Sequence, residues 1–438
     1  MRHAAFACLL AFSVCVLSWA LPAAYSLIFV TPIEKTKLFY SPVLGKCIYT
    51  EQIRGLDPEA AAKSEGHHAD IVYKDASGVY YDRLAFEAAL PFIYYRNMEM
   101  RGLMPITVEG KSFDRQAIEK ARRVLELPAT SLAGHRPEAR CLPLIESNPG
   151  QVALLYPDDR FRATTQGLEF VNADTNTPDP RLTELFTAKL KEGGFVFPVR
   201  HVGGNFTTFK PYEGGIFLVD AKGTLFHLLR RNGAPLVTRV KLPEGVVPRH
   251  VLVSEARERQ WLGMLLDTSG RIWLLRHDDM ALIGLKVMDY KPDTMDFKVI
   301  FDPVFITAIF SDKARIHAAV FRLPDTASLG GTVLEPFHTF AMPMSRAEEC
   351  WQTRIADAAF PFTAHLTDEN RSMLRLTFTS SQHYLDNALP CCLLLSLCCF
   401  LRMRRRGPLD GWGWAGVAAT ALAGLYALVP LLLLDERG

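Results

Sequence analysis

"IFLVDAKGTLFHLLRRNG", Ile216 to Gly233, and "WLGMLLDTSGRIWLLRHDD", Trp261 to Asp279, have one shape: an apolar run, Asp-x-x-Gly, and a second apolar run. Asp220 corresponds to Asp267 and Gly223 to Gly270, an interval of 47 residues. Read as strand–turn–strand, the pattern predicts a tight hairpin. Its Asp accepts hydrogen bonds from the turn backbone, and its Gly takes positive φ without steric cost. A cation site would instead need several carboxylates at alternating positions, and each of these loops supplies one. "YKDASGVYYD" contains a third copy, Asp75 to Gly78, while "FSDKARIHAAVF" keeps strand–Asp–strand with Ala314 in place of Gly.

Working outward, short apolar runs punctuated by Gly, Pro, Asp and Asn continue from Phe195 to Ser380. Many short strands at this spacing indicate a sandwich, barrel or propeller, and a period of about 40–50 residues with four strands each is that of a propeller blade. Helices are expected in three places. "SFDRQAIEKARRVLELP" has Ser112 as N-cap and Ile118, Val124 and Leu125 on its apolar face. "DPRLTELFTAKLKEGG" has Asp179 as N-cap, Pro180 at the first helical position and Gly193 or Gly194 as its stop. "DRLAFEAALPFIYYRNM" is broken near Pro91.

The two ends of the chain are apolar. Ala4 to Val30 carries no charge over 27 residues, enough to cross a bilayer and longer than the core of a cleaved signal peptide. Ala388 to Leu401 is shorter, extended by Tyr384, Leu385 and Met403, with Arg402 able to snorkel. Gly411 to Leu434 is again uncharged and opens with Trp412 and Trp414, as at a membrane interface. Arg402, Arg404, Arg405 and Arg406 join these last two runs in a basic loop. The positive-inside rule places that loop in the cytoplasm, against the opposing pull of Lys35 and Lys37.

The resulting expectation is a mainly β chain with a few helices (α+β): a propeller-like or multi-sheet extracytoplasmic domain plus three transmembrane helices. Residues 1–31 are the N-terminal anchor, 32–383 the β-rich domain, and 384–438 a C-terminal transmembrane hairpin. The location expected is the inner (cytoplasmic) membrane, N-terminus cytoplasmic and large domain periplasmic.

The chain of 438 residues has 49 Lys plus Arg against 47 Asp plus Glu, so no large basic field is available to neutralise phosphates, and nucleic acid is not an expected partner. Of nine cysteines, only Cys47, Cys141 and Cys350 lie outside the apolar ends, and none is in a C-x-x-C. Three buried thiols, or one disulfide and one thiol, are the open readings. His67 and His68 are adjacent and face opposite ways in an extended chain, so they do not suggest a metal site. "HVGGN", His201 to Asn205, lacks a nucleophile elbow and reads as a Gly-rich strand connection. In "YPDDRFR", Asp158 and Asp159 stand beside Arg160 and Arg162, which reads as an ion-pair turn rather than acid–base machinery. No catalytic, cofactor-binding or metal residues are assigned, and no cofactor is expected.

One segment stands apart. In "GFVFPVRHVGGNFTTFKPYEGGIFLVD", Asn205, Thr207, Lys210, Tyr212 and Glu213 lie in a long loop between apolar strands. Such loops on rigid β scaffolds often carry binding.

"DASGVYYDRLAFEAALPFIYY", "CLPLIES", "DRFRATTQGLEFVNADTN", "GGFVFPVRHVGGNFTTFKPYEGGIFLVD" and "GTLFHLLRRNGAP" together resemble a domain-of-unknown-function family of bacterial membrane-anchored proteins, over about residues 35 to 385. The resemblance implies a membrane protein encoded near transporter genes and supplies no site residues. The function expected is therefore a membrane-anchored extracytoplasmic binding or accessory protein, associated with a transporter, its partners being membrane lipid and transmembrane helices. The alternative is a periplasmic hydrolase-like enzyme with its site near Asn205 to Glu213 or Asp158 to Arg162.

Overall fold

The computed structural model describes residues 2–29, 35–52, 71–135, 141–312, 315–323, 331–344, 351–368, 374–381, 384–405 and 407–434. His67, His68, Ala314, Cys350 and Arg406 lie outside them. The chain divides into two compact units. One gathers residues 1–35, 52–57 and 345–438; the other residues 36–51 and 58–344. Helix α1 (Arg2–Ile28) opens the first.

The second unit is a succession of small antiparallel sheets. Strands β1 (Lys35–Ser41), β2 (Lys46–Gln52), β3 (Ile71–Asp75) and β4 (Tyr80–Tyr81) form one in sequence order, followed by α2 (Arg83–Ala89) and α3 (Tyr95–Met100). The hairpin β5 (Ile106–Val108) and β6 (Lys111–Phe113), α4 (Arg115–Ala121) and β7 (Arg123–Leu127) come next. Then come the three-stranded sheet β8 (Asp159–Ala163), β9 (Leu168–Asn172) and β10 (Pro178–Asp179), and α5 (Pro180–Glu192). The two repeats of the opening quotation lie in two four-stranded meanders: β11 (His201–Gly203), β12 (Ile216–Val219), β13 (Leu225–Arg231) and β14 (Ala234–Arg239); and β15 (Pro248–Val253), β16 (Trp261–Asp267), β17 (Ile272–Arg276) and β18 (Leu282–Leu285). Strands β19 (Asp296–Phe301), β20 (Phe305–Ser311) and β21 (Arg315–Arg322) continue the chain. Strand β22 (Val333–Leu334) joins β18 in parallel, and β23 (His338–Pro343) joins β21.

These sheets pack face to face in chain order, and the side-chain period of two shows how. In β12, Ile216 and Leu218 pack with Phe161, Phe170 and Phe186, while Phe217 and Val219 turn to Val251, Leu265 and Trp273. In β17, Trp273 and Leu275 share that second core, while Ile272 and Leu274 join Phe297, Val299 and Phe310. In β20, Ile306, Ala308 and Phe310 face this third core, while Phe305 and Ile309 pack with Leu38, Tyr40 and Ile316. A strand held between two neighbours is buried on both faces. The central strands therefore read as continuous apolar runs instead of alternating.

The Asp-x-x-Gly hairpins are three copies of one turn. The Lys222 and Thr224 amides donate to Asp220 Oδ1 at 2.9 and 2.7 Å. Ser269 and Arg271 do so to Asp267 Oδ1 at 2.8 and 2.9 Å, and Ser77 and Val79 to Asp75 Oδ1 at 2.8 and 3.0 Å. Gly78, Gly223 and Gly270 all have φ of 81°. Each carboxylate serves the turn of its own hairpin, as expected.

Helix α5 starts at Asp179, which caps Leu182 N, and ends at Gly193; α2 and α3 are separate across Pro91. The expected helix from Ser112 through Leu125 is corrected. The cap is Asp114, α4 stops at Ala121, and Arg122 turns extended at ψ 122°. Val124 and Leu125 then sit in β7, paired with Ile300 and Val299. The edge of the β19 sheet offers Leu125 full burial (1% exposed), and this outweighs its helical spacing.

The first unit is completed by α6 (Trp351–Ala359), the hairpin β24 (Phe362–Asp368) and β25 (Leu374–Ser380), α7 (Leu389–Arg405), α8 (Gly411–Ala423) and α9 (Leu425–Leu434). Among the described residues, two stretches are long and apolar enough to cross a membrane: Phe6–Ile28, and Tyr384–Arg405, where a π-helical turn over Tyr384–Ala388 lengthens α7. The expected third transmembrane helix is corrected. Gly424, at φ 55° and ψ −127°, ends α8 after 13 residues, and α9 has only ten. At 1.5 Å per residue each falls short of a core about 30 Å thick. A Cβ at 424 would stand 2.9 Å from Cys392 Sγ, so the break also permits close approach to α7. The Tyr426 hydroxyl, two residues on, donates to Phe362 O at 2.7 Å.

Cys47 is a buried free thiol, pushed up to about 12 by burial, whereas Cys141 is free and exposed.

Candidate functional site

The loop between β11 and β12 spans residues 204–215. A meander puts alternate connections at the same end, so this loop lies opposite the Asp220 turn. The β15–β16 connection, residues 254–260, stands in the same relation to the Asp267 turn. Where these two connections meet, the charged residues of the loop turn inward.

Lys210 is the hub. Its Nζ donates to Glu255 Oε1 at 2.7 Å and to the Asn205 carbonyl at 2.6 Å, and lies 2.8 Å from Glu213 Oε2. The side chains of Lys210, Glu213 and Glu255 are only 2%, 4% and 0% exposed. The remaining carboxylate positions are also engaged. Asn205 Nδ2 donates to Glu255 Oε2 at 2.8 Å, the Gly214 amide to Glu255 Oε1 at 3.2 Å and the Gly215 amide to Glu213 Oε1 at 2.7 Å. His227, on β13, holds the Gly214 carbonyl at 2.7 Å. Two carboxylates thus share one ammonium. Burial raises the Glu213 carboxyl above its ordinary value, which Lys210 only partly offsets.

Beside this cluster, the Tyr212 ring lies 4.4 Å from the Arg259 guanidinium and edge-on to His277 at 5.4 Å. Burial, with Glu255 nearby, pushes the Tyr212 phenol up to about 12, and its hydroxyl has no hydrogen-bond partner among the described residues. Arg123, at the start of β7, donates to the Ser254 and Trp261 carbonyls, closing the mouth of the β15–β16 connection. Its guanidinium is held below the usual range by burial.

Of the five residues singled out in the sequence, the structure brings Asn205, Lys210 and Glu213 into one buried network, with Tyr212 against its flank. Thr207 sits apart and accepts the Phe209 amide at 3.1 Å. Phe209, at the tip, is 95% exposed. Sequence reading missed Glu255, Arg123, Arg259 and His277. Glu255 lies 45 residues from Lys210, and the charged "EARER" that contains it reads as an ordinary solvated turn.

The other candidates resolve as structure. Asp159 is clasped by Arg230 at 2.8 Å to both oxygens, and Arg162 pairs with Glu169, so Asp158 and Asp159 do not work as a pair. His201 accepts the Val251 amide at 3.2 Å, and burial drops its imidazole to about 4. A Cβ on Gly203 would stand 2.5 Å from the Val251 carbonyl, so "HVGGN" is glycine-rich where two sheets meet closely.

The family model described as a domain of unknown function, DUF4857, matches residues 37–321. The chain belongs to this family. The DUF4857 region runs from β1 through most of β21 and contains the whole Lys210 network. No curated protein matches the chain. Among solved structures, that of YCF48 bound to D1 peptide is similar at 8% identity, over 60% of this chain and 95% of that one, with a TM-score of 0.22; at that score the likeness carries no argument.

Proposed function

We propose that this DUF4857 protein is a membrane-anchored binding or accessory protein, its β-rich unit extracytoplasmic and its apolar helices docked against transmembrane helices of a transporter. The observation that carries the reading is the loop of residues 204–215. Its charged groups are paired and hydrogen-bonded inside the fold, and the aromatic group it presents outward is the exposed Phe209. An aromatic side chain held on a loop stapled from within is a preorganised contact, with little ordering entropy to lose on binding.

Other features support the same reading. The successive meanders, spaced by 47 residues and packed face to face, suit a propeller-like array that presents connections at its ends. Tyr384–Arg405 ends in Arg402, Arg404 and Arg405, which suits a cytoplasmic, anionic lipid face and supports an outside location for the β-rich unit.

Two experiments test this. Alkaline phosphatase fused after residue 380 is expected to be active and fused at Gly407 inactive; the reverse pattern would overturn the topology. Phe209→Ser is expected to leave the fold intact and reduce recovery of partners from mild detergent. Recovery equal to wild type would remove the loop from the binding surface.

A further inference from the structure

Away from the Lys210 loop, the sheet that contains β21 and β23 bears a cavity of about 370 Å³. Its origin is in the residue sizes. In register, Phe310 faces His317 across β20 and β21, and His317 faces Ala341 on β23; one step along, Ala308, Ala319 and Thr339 are aligned. Beside Phe297 and Phe310 of the inner strands, β21 and β23 present Ala319, Thr339 and Ala341. The sheet face hollows toward its edge, and the segment after β18 with the β22–β23 connection forms the walls.

The lining has a definite chemistry. The floor is flat: the His317 ring lies on Phe310 at 4.9 Å between centroids and 8° between planes. His317 is only 8% exposed, and it lines the hollow. A bound donor there can take the place of water at its ring. Burial holds His317 below its ordinary value despite the nearby Asp289 carboxylate, so it stands neutral with one nitrogen free to accept. On the rim, Lys286 and Glu335 neutralise each other at 2.9 Å. Asp289 has neither an ion pair nor a side-chain hydrogen bond among the described residues, and it is held at φ 65°, a strained conformation for a non-glycine residue. The net result is a planar apolar floor with a free acceptor, beside one uncompensated negative charge.

We propose that this cavity binds a small organic cation with a planar apolar body, an aryl amidinium or aryl ammonium. The ring lies on the floor and the cationic N–H groups donate to His317 and Asp289. The volume is at the small end for ligand sites, which suits a single-ring molecule rather than a nucleotide. The proposal rests on the binding reading above and adds a ligand class to it.

The test uses the full-length chain in detergent and three near-isosteric probes, benzamidine, benzamide and benzoate, followed by calorimetry and ligand-detected NMR. Saturable benzamidine binding at about 1 mM or tighter, with benzamide and benzoate weaker by about tenfold or more, is the expected order. Asp289→Asn tolerates the same backbone conformation, so it is expected to keep the wild-type melting temperature and erase the preference for the cation. Ala341→Leu, at an exposed position, is expected to fill the hollow and abolish binding with the fold intact. Equal binding of all three probes, silence toward benzamidine, or unchanged affinity in both variants would overturn the proposal. Silence toward benzamidine together with normal recovery of membrane partners would sink the cavity proposal alone and leave the binding reading standing.

Discussion

Replacing Lys210 with Met keeps the length and bulk of the side chain and removes the only ammonium from between two carboxylates that are 4% and 0% exposed. Breaking a buried ion cluster by deleting one partner costs about 3–5 kcal/mol, because the remaining charges stay desolvated. Glu213 has a way out: its carboxyl is already raised by burial and takes up a proton more readily than an ordinary glutamate. That escape becomes easier as pH falls, so the loss is expected to be largest at pH 8 and clearly smaller at pH 5. At roughly 2 °C per kcal/mol for a unit of this size, the melting temperature at pH 8 should drop by about 6–10 °C. Lys210→Met combined with Glu213→Gln removes one of the stranded charges and should recover part of the loss. Glu255 would keep the bonds from Asn205 and Gly214. Thermal unfolding of the full-length protein in detergent, followed by circular dichroism at the two pH values, measures all of this. A drop below about 2 °C at pH 8, or a double variant no more stable than the single one, would refute the claim that the network staples the loop from inside.

Asp220→Asn should be mild, since the amide oxygen can accept the same two turn bonds. Gly270→Ala should cost about 1–2 kcal/mol in urea unfolding for its φ alone, and Gly223→Ala more, because the new Cβ also meets Val247 at 3.0 Å. The Asp302 carboxyl is raised from 3.8 to about 6, chiefly by burial. Its stability contribution is therefore full below about pH 4 and declines as pH rises through about 6. Asp302→Asn should flatten that part of the stability–pH profile measured by urea titration. Gly424→Leu should lower the melting temperature of the detergent-solubilised protein, because neither the positive φ nor the contact with Cys392 admits a side chain.

What could be read from the sequence alone was what is decided within a few residues. The Asp-x-x-Gly hairpins close on their own backbone, so Asp75, Asp220 and Asp267 were legible as turns without knowledge of the sheets around them. The start of α5 at Asp179 and Pro180 was legible for the same reason, as were the two long apolar stretches, whose length is a property of the sequence. What lies farther apart had to await the tertiary structure. Val124 and Leu125 fit a helical face equally well, and only the open edge of β19 makes them a strand. The run from Gly411 to Leu434 passes every composition test for a single span, yet close approach to Cys392 and the backbone of Gly424 split it in two. Lys210 and Glu213 could be placed in a loop, but not turned inward, because Glu255 comes from another sheet. The hollow at His317 depends on which small residues fall opposite it across three strands. Turn and cap energies depend on the nearest neighbours in the chain, whereas burial, ion pairing and cavities depend on neighbours in space, which packing of the sheets alone brings together.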